Sequence, residues 1–245
     1  MIDLLTVYIG FDRREPEASD VARRSLLATC PVTLEIHDLC ETDLRANGFY
    51  DRPYRTEGAQ RIDLRDGKPF STDFSFTRFL VPALQQYRGW ALYCDSDFLF
   101  RADARDLFAL TDDKYAVMCV KHDHRPTETT KMDHQRQDHY RRKNWSSMIL
   151  YNCGHPANAA LTVEKVNHST GGDLHAFSWL ADELIGGVPE SWNWLEGWSS
   201  PDIDPKIVHM TRGIPTMAGF ENIPYADEWR AYLPSHRGDH AGSVD

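Results

Sequence analysis

Two aspartates separated by one residue, Asp95 and Asp97, directly follow the apolar run Trp90–Cys94. Alternate residues of a strand point the same way, so both carboxylates can converge on one hard divalent cation. That ion would neutralise the charge that grows on a leaving diphosphate, which is the chemistry of a transferase acting on a nucleotide sugar. Such a pair is common and is usually a solvated turn. Here the strand before it, the apolar Phe98–Phe100 after it and Arg78 upstream favour the metal site.

The elements around this motif alternate between strands and helices. Short apolar or alternating runs predict strands at 4–9, 32–39, 90–94, 115–120, 147–151 and 206–210. Helical spacing of apolar residues predicts helices at 17–27, 74–87, 157–166 and 173–185, and 47–69 is predicted to be a long irregular connection. The pattern predicts an α/β fold, a mixed but mainly parallel sheet with helices on both faces. Ligands of such sheets bind at the carboxyl ends of the strands, where Asp95 and Asp97 would lie.

The composition excludes two classes of protein. The chain has 245 residues, 41% of them hydrophobic and 26% charged, which is typical of a folded protein and not of a disordered one. Its formal net charge of -10 argues against nucleic acid as a partner, because an acidic surface gains nothing from counterion release. We expect a single domain over residues 1–235 and a frayed tail over 236–245.

The sequence also bears on location and on cysteine chemistry. An acid stands at position 3, where a signal peptide would be basic, and no apolar run is long enough to span a bilayer. We therefore expect a cytoplasmic protein without a transmembrane segment, which is compatible with peripheral association at the membrane. The five cysteines are odd in number and form no CxxC pair, so we expect reduced, mostly buried thiols.

Six segments of the chain occur in the order found in one family of sugar transferases. They are VYIGFDRRE, FSFTRFLVPAL, ALYCDSDFLF, NWSSMILYN, GGDLHAFSW and PKIVHMTRG. Over most of its length the chain resembles glycosyltransferase family eight, the glycogenin-like group of enzymes with the GT-A fold. The resemblance implies a GT-A-like, Rossmann-related domain. It also implies retaining transfer of a sugar from a nucleotide diphosphate donor, a UDP-sugar, to a hydroxyl acceptor.

Matched position by position, the resemblance implies roles for individual residues. Asp95, Asp97 and His209 correspond to the metal ligands, and an imidazole beside two carboxylates favours Mn²⁺ over Mg²⁺. Asp173 would face the anomeric centre, and Arg78 would bridge the aspartates and the donor. The residues implied to contact the donor are Tyr8, Gly10, Phe11, Asp12, Arg14, Arg78, Ser96, Ser146 and Arg212. The implied partners are a nucleotide-sugar donor and a carbohydrate or glycolipid acceptor, as in surface polysaccharide or glycolipid synthesis.

Three positions depart from the family pattern. Trp145 stands where the family has Asn, Leu174 stands where it has Gln, and Arg212 is the nearest cation where it has Lys. Two other functions therefore stay open. One is a nucleotidyltransferase that makes sugar nucleotides, although GFDRREPE is a poor match to its Gly-rich phosphate loop. The other is a nucleotide-binding protein whose transferase site has decayed.

Several residues carry more than one interpretation. Alone, His209 could be a core histidine and Asp173 a helix N-cap. Residues 122–143 contain four histidines and are either a solvated surface insertion or a lid that faces the acceptor. A cluster near the end of the chain is either an acceptor-sugar platform or a set of core tryptophans at strand spacing. This cluster consists of Trp192, Trp194, Glu196 and Trp198.

Overall fold

The computed structural model describes residues 4–58, 60–123 and 142–234. The strands are β1 Leu4–Gly10, β2 Thr33–Leu39, β3 Tyr54–Glu57, β4 Gln60–Asp63, β5 Pro69–Phe70, β6 Trp90–Cys94, β7 Phe98–Phe100, β8 Val117–Cys119, β9 Met148–Asn152, β10 Ile185–Gly187, β11 Trp194–Leu195 and β12 Ile207–His209. The α-helices are α1 Pro16–Thr29, α2 Glu41–Ala46, α3 Val81–Leu84, α4 Ala104–Phe108, α5 Val163–His168, α6 Gly171–His175 and α7 Ala226–Arg230. The predicted tail and most of the stretch 122–143 lie outside the described residues.

The largest sheet has six strands in the order β10-β8-β9-β6-β1-β2. β1 pairs in parallel with both β2 and β6, and β10 pairs in parallel with β8. Only β9 runs against its neighbours β6 and β8. The prediction of a mixed, mainly parallel sheet is therefore confirmed, and β6 lies inside it, as its apolar sequence requires.

Alternate residues of the central strands supply two separate cores. Leu92 and Cys94 of β6 point to one face, where α1 and α4 pack. Ala91 and Tyr93 point to the other face, where residues of α3, α5 and α6 pack. Because side chains alternate along a strand, one apolar run serves both layers, and the predicted helices on both faces are confirmed.

The N-terminal helix follows from its sequence. Pro16 occupies the first turn of α1, where its missing N–H costs nothing, and its fixed φ favours the helix. Ala18, Val21 and Ala22 are buried, as the spacing predicted. The cysteines also match expectation in burial, since four of the five are buried and all are free.

The predicted irregular connection at 47–69 is wrong. It contains α2's C-terminal flank and a small antiparallel sheet in the order β3-β4-β5. Its packing includes a buried ion pair: Arg52 and Asp63 are both buried and bonded to each other. Hydropathy periodicity does not detect such a core.

The helices after this sheet are shorter than predicted. The run 74–87 forms a 3₁₀ turn at Thr77–Leu80 followed by α3, because Pro82 has no N–H to continue a hydrogen-bond ladder. The run 157–166 divides into a 3₁₀ turn at Pro156–Ala160 and α5. The run 173–185 ends early, since Phe177 adopts φ 52° and Ile185 begins β10.

A second three-stranded sheet has the strand order β11-β12-β7. β12 pairs antiparallel with β7 and in parallel with β11. This sheet connects residues 194–209 to β7, which follows the aspartate pair after β6. Within the described ranges, no helix is both long enough and apolar enough to cross a membrane.

Candidate metal and donor site

Three chain segments meet at the carboxyl end of β6. β1 runs parallel to β6 and ends at Gly10, so the loop after it leaves the same edge of the sheet. β12 places His209 opposite Phe98 of β7. The Met210 N–H also donates to the Asp97 carbonyl over 3.0 Å. The strand pairing thus brings a late residue of the chain next to the aspartate pair.

Asp95, Asp97 and His209 each offer one ligand atom, and these atoms all lie within 4.8 Å of one another. Oδ1 of Asp97 is buried and has no hydrogen-bond donor in the described part of the chain. It stands 3.3 Å from Nε2 of His209. Two neighbouring ligands of an octahedral ion, each about 2.1 Å from it, stand about 3.0 Å apart. The three side chains therefore fit a divalent cation.

Asp95 is tied to the protein more tightly than Asp97. It accepts from the Tyr93 hydroxyl over 2.7 Å and pairs with Nη1 of Arg78 at 2.9 Å. Burial raises the pKa of the Asp95 carboxyl, the Arg78 charge opposes this rise, and the Asp97 charge adds to it. The site is thus a concentration of negative charge with one cationic side chain against it.

Arg78 is buried and is held from three sides. Its guanidinium pairs with Asp95 and donates to the carbonyl oxygens of Phe74 over 3.2 Å and Ser146 over 2.8 Å. The 3₁₀ turn Thr77–Leu80 sets the position of its backbone. This places the predicted arginine against the predicted aspartate.

Ser146 makes a contact that the sequence did not indicate. It is buried, and its Oγ lies 2.7 Å from Nδ1 of His175. Burial, with the nearby Arg78 charge, lowers the pKa of His175 to about 3, so the ring is neutral. Ser96, between the two aspartates, is also buried. His175 stands two positions beyond Asp173, and only its spacing along α6 could have suggested it.

Asp173 occupies the first turn of α6 and is exposed. Its N–H donates to the Thr170 hydroxyl, and that hydroxyl donates to the Asp173 carboxylate over 2.7 Å. Thr170 is the N-cap of α6, so the N-cap interpretation of Asp173 is wrong: Asp173 lies in the first turn and accepts from the N-cap hydroxyl. Its role at the anomeric centre stays a prediction.

In the loop after β1, the Asp12 carboxylate accepts hydrogen bonds from other residues of the protein. It is buried and accepts from the Asp73 N–H and from the Arg14 backbone and guanidinium, the latter at 2.9 and 2.6 Å. Arg14 holds the pKa of Asp12 below its usual value, although burial alone would raise it. Asp12 and Arg14, both predicted to contact the nucleotide-sugar donor, therefore hold the loop in place. The Arg14 side chain remains 44% exposed.

The aromatic and glycine positions of β1 also have local partners. Tyr8 is buried and stacks on His37 with ring centroids 4.8 Å apart, and burial raises its pKa to about 12. A Cβ on Gly10 would lie 2.5 Å from the Phe74 ring, so Gly10 admits this ring. Phe11, next in the chain, is half-buried.

Arg212 is paired with a buried acid. Its guanidinium donates to both carboxylate oxygens of Glu196, at 2.9 and 2.6 Å, and packs against Gly197. Trp192 and Trp194 are buried in two apolar clusters, which favours the core interpretation for both. Trp198, in contrast, is 39% exposed.

Glu15 is a further acid that the sequence left unmarked. It immediately precedes α1 and is half-buried. Burial raises its pKa to about 7, with smaller contributions from the charges of Asp97 and Asp12. Its position three residues after Asp12, in the loop that leaves the sheet beside β6, was the available signal.

One curated relative is similar over nearly the whole chain. Protein CDI of Arabidopsis thaliana is 43% identical over 244 residues, which cover 98% of this chain and 90% of that protein. The chain belongs to the Protein CDI family. No model of a known protein family matches it, so membership of glycosyltransferase family eight stays a prediction.

Three solved structures that resemble this CDI-family chain are glycosyltransferases. The bifunctional glycosyltransferase WbbM aligns with a TM-score of 0.57 at 12% identity, covering 95% of this chain and 52% of WbbM. GlyE of Streptococcus pneumoniae TIGR4 aligns at 0.57 and 14% identity, covering 93% and 59%. The galactosyltransferase LgtC aligns at 0.54 and 11% identity, covering 93% and 95%. The chain spans about half of WbbM and three-fifths of GlyE. The predicted GT-A fold is confirmed.

Proposed function

We propose that this protein is a metal-dependent glycosyltransferase that moves a sugar from a UDP-linked donor to a hydroxyl acceptor with retention of configuration. The observation that carries the proposal is the convergence of Asp95, Asp97 and His209 at the carboxyl edge of β6. The unpartnered Oδ1 of Asp97 supports a cation there, because a buried polar atom without a partner is costly within a fold.

The proposed ligand set favours manganese, since two carboxylates and one imidazole combine hard and intermediate donors. When bound, the ion would supply Lewis-acid stabilisation of the departing diphosphate. Arg78 would add a fixed positive charge beside it, because Asp95 and two carbonyl groups hold its guanidinium in place. Arg212 would contribute a second cation, held by Glu196.

The remaining donor contacts are proposed to come from the loop after β1. Asp12 and Arg14 would act mainly by holding this loop rigid, because their polar atoms bond to each other. Phe11, which is half-buried, is the aromatic side chain of this loop that could cover a base. Asp173 is proposed to orient the sugar, at the exposed first turn of α6.

Thermal unfolding with Mn²⁺ and UDP tests the proposal. At a UDP concentration about 100 times Kd, binding stabilises the fold by about 2.7 kcal/mol, which raises Tm by about 5–11 °C for a chain of this size. Asp97→Asn should abolish the shift. Asp204→Asn, which changes a side chain that is 94% exposed, should retain it. No Mn²⁺-dependent shift with UDP, GDP, ADP or CDP would overturn the proposal.

The stereochemical part needs a separate measurement. Proton NMR of the sugar first released from an α-linked UDP-sugar should show the α-anomer if the enzyme retains configuration. A β-anomer would contradict retention while leaving sugar transfer intact. A chain that binds UDP and Mn²⁺ but consumes no UDP-sugar would instead favour a nucleotide-binding protein with a decayed site.

A further inference from the structure

His209 has two ring nitrogens, and they face different surroundings. Nε2 faces Asp97, as described above. Nδ1 lies 3.0 Å from Oδ1 of Asn193, a side chain with no exposed surface. Whether Nε2 of the neutral ring carries a proton therefore depends on the hydrogen bond that Asn193 makes with Nδ1.

A series of hydrogen bonds runs from Asn144 through Ser147 and Asn193 to His209. The donor and the acceptor of each bond follow from counting the available protons. The Ser147 hydroxyl donates to the carbonyl of Asn144 over 2.8 Å, because a carbonyl can only accept. Its single proton is thereby used, so at its 2.9 Å contact with Asn193 the hydroxyl oxygen must accept. The amide nitrogen of Asn193 consequently faces Ser147, and the amide oxygen faces His209. An amide oxygen can only accept, so Nδ1 of His209 carries a proton.

In the neutral ring, a proton on Nδ1 leaves Nε2 with a bare lone pair. This nitrogen lies 3.3 Å from Oδ1 of Asp97, an oxygen that accepts no hydrogen bond in the described part of the chain. Two acceptors at this distance repel each other unless a cation stands between them. The arrangement is the one that a metal ligand requires.

The backbone explains why Asn193 stays in register with His209. Asn193 ends the 3₁₀ turn Glu190–Asn193 and immediately precedes β11. Leu195 of β11 pairs with His209 of β12, and the Glu196 N–H donates to the His209 carbonyl over 2.9 Å. The amide therefore stands directly before β11, the strand that pairs with the imidazole's strand β12.

We propose that Asn193 is a positioning residue that fixes His209 in the tautomer competent to bind a divalent cation through Nε2. The inference rests on the proposed metal role of His209. Side chains that accept a hydrogen bond from a metal-bound imidazole typically contribute a factor of about 10–100 in metal affinity. The Asn193 side chain has no exposed surface, and an amide buried without hydrogen-bond partners would be costly.

The test compares three variants by titration calorimetry with Mn²⁺ alone, without any nucleotide. Asn193→Leu removes the acceptor and should weaken Mn²⁺ binding by about 10–100-fold. Asn193→Asp keeps an oxygen facing Nδ1 and should retain affinity within a few-fold. Asn158→Leu is the matched control, because Asn158 is equally buried and bonds the Ala116 and Asn152 carbonyls instead. This control should destabilise the fold without changing Mn²⁺ affinity.

Long-range proton–nitrogen NMR of the metal-free wild-type chain reads the tautomer directly. At about pH 9 we expect a protonated Nδ1 and a bare Nε2 on His209. This arm decides the proposal even if Asn193→Leu does not fold. A wild-type ring protonated on Nε2 would overturn it.

The calorimetric outcomes separate this inference from the proposed function. If the wild type binds Mn²⁺ and Asn193→Leu binds it equally well, the role of Asn193 is refuted alone. If the wild type binds no Mn²⁺, the metal assignment and the role of Asn193 both fail. Weaker binding in Asn193→Leu together with retained binding in Asn193→Asp supports the proposal.

Discussion

The ion pair between Arg52 and Asp63 permits a sharp prediction about stability. Both side chains are 1% exposed. Arg52 donates to both carboxylate oxygens of Asp63, each over 2.9 Å. Its Nη1 also donates to three carbonyl groups around the end of α5, and its guanidinium lies 3.9 Å from the centre of the Phe76 ring. The pair joins the small sheet β3-β4-β5 to the body of the domain.

Arg52→Met keeps the length of the side chain and removes its charge and its donors. It leaves the Asp63 carboxylate and three carbonyls without this partner, and removing one member of a buried pair costs about 3–5 kcal/mol. At about 2–4 °C per kcal/mol, Tm should fall by about 6–20 °C. Urea unfolding should give the same loss in free energy of unfolding.

Strand β3 of the same small sheet supplies the control. Arg55 pairs with Glu57, and these side chains are 57% and 58% exposed. Arg55→Met should therefore cost less than about 1 kcal/mol. Adding Asp63→Leu to Arg52→Met should recover part of the loss, because it removes the stranded charge. A loss below about 1 kcal/mol in Arg52→Met, or no recovery in the double variant, would refute the reasoning.

Two further predictions concern the loop and strand beside the aspartates. Gly10→Ala should destabilise the fold by about 1–3 kcal/mol, because its Cβ would press into the Phe74 ring. In the control Gly172→Ala, the nearest atom would lie 3.9 Å from the added Cβ, so the change should be nearly neutral. Thermal unfolding of the two variants measures the difference. Glu15 has a pKa raised from 4.5 to about 7, so its protonated form favours the fold at low pH. The wild type should lose stability relative to Glu15→Gln as pH rises from about 4.5 to 7. Parallel Tm curves across this range would contradict the assignment.

The sequence predicted the parts of the site that depend on local pattern. Trp90–Cys94 is uniformly apolar because both faces of β6 are covered, and its abrupt end marked the position of Asp95 and Asp97. His209 is different, since nothing near it in the chain indicates a ligand. Its placement depends on the pairing of β12 with β7, which only the family resemblance anticipated.

Other features escaped prediction for physical reasons. The sheet around Arg52 and Asp63 contains a buried charge pair, and its few apolar residues follow no regular spacing that would predict strands. Asn193 lies between two tryptophans in the sequence, and nothing in this aromatic pattern indicates a side chain that hydrogen-bonds a metal ligand. The short helices α3 and α6 depend on Pro82 and on the backbone turn at Phe177, whose effects outweighed helical spacing.

The late position of β12 has a consequence for biosynthesis. A nascent chain that has emerged only as far as β9 already contains β1, β6 and both aspartates, yet it lacks the imidazole. On the proposed ligand set, strong cation binding would arise only once β12 has been synthesised and has paired with β7. Because a ligand that binds only the completed fold stabilises it, cellular Mn²⁺ would favour chains whose C-terminal segment has docked. The cation would then act as a checkpoint of maturation.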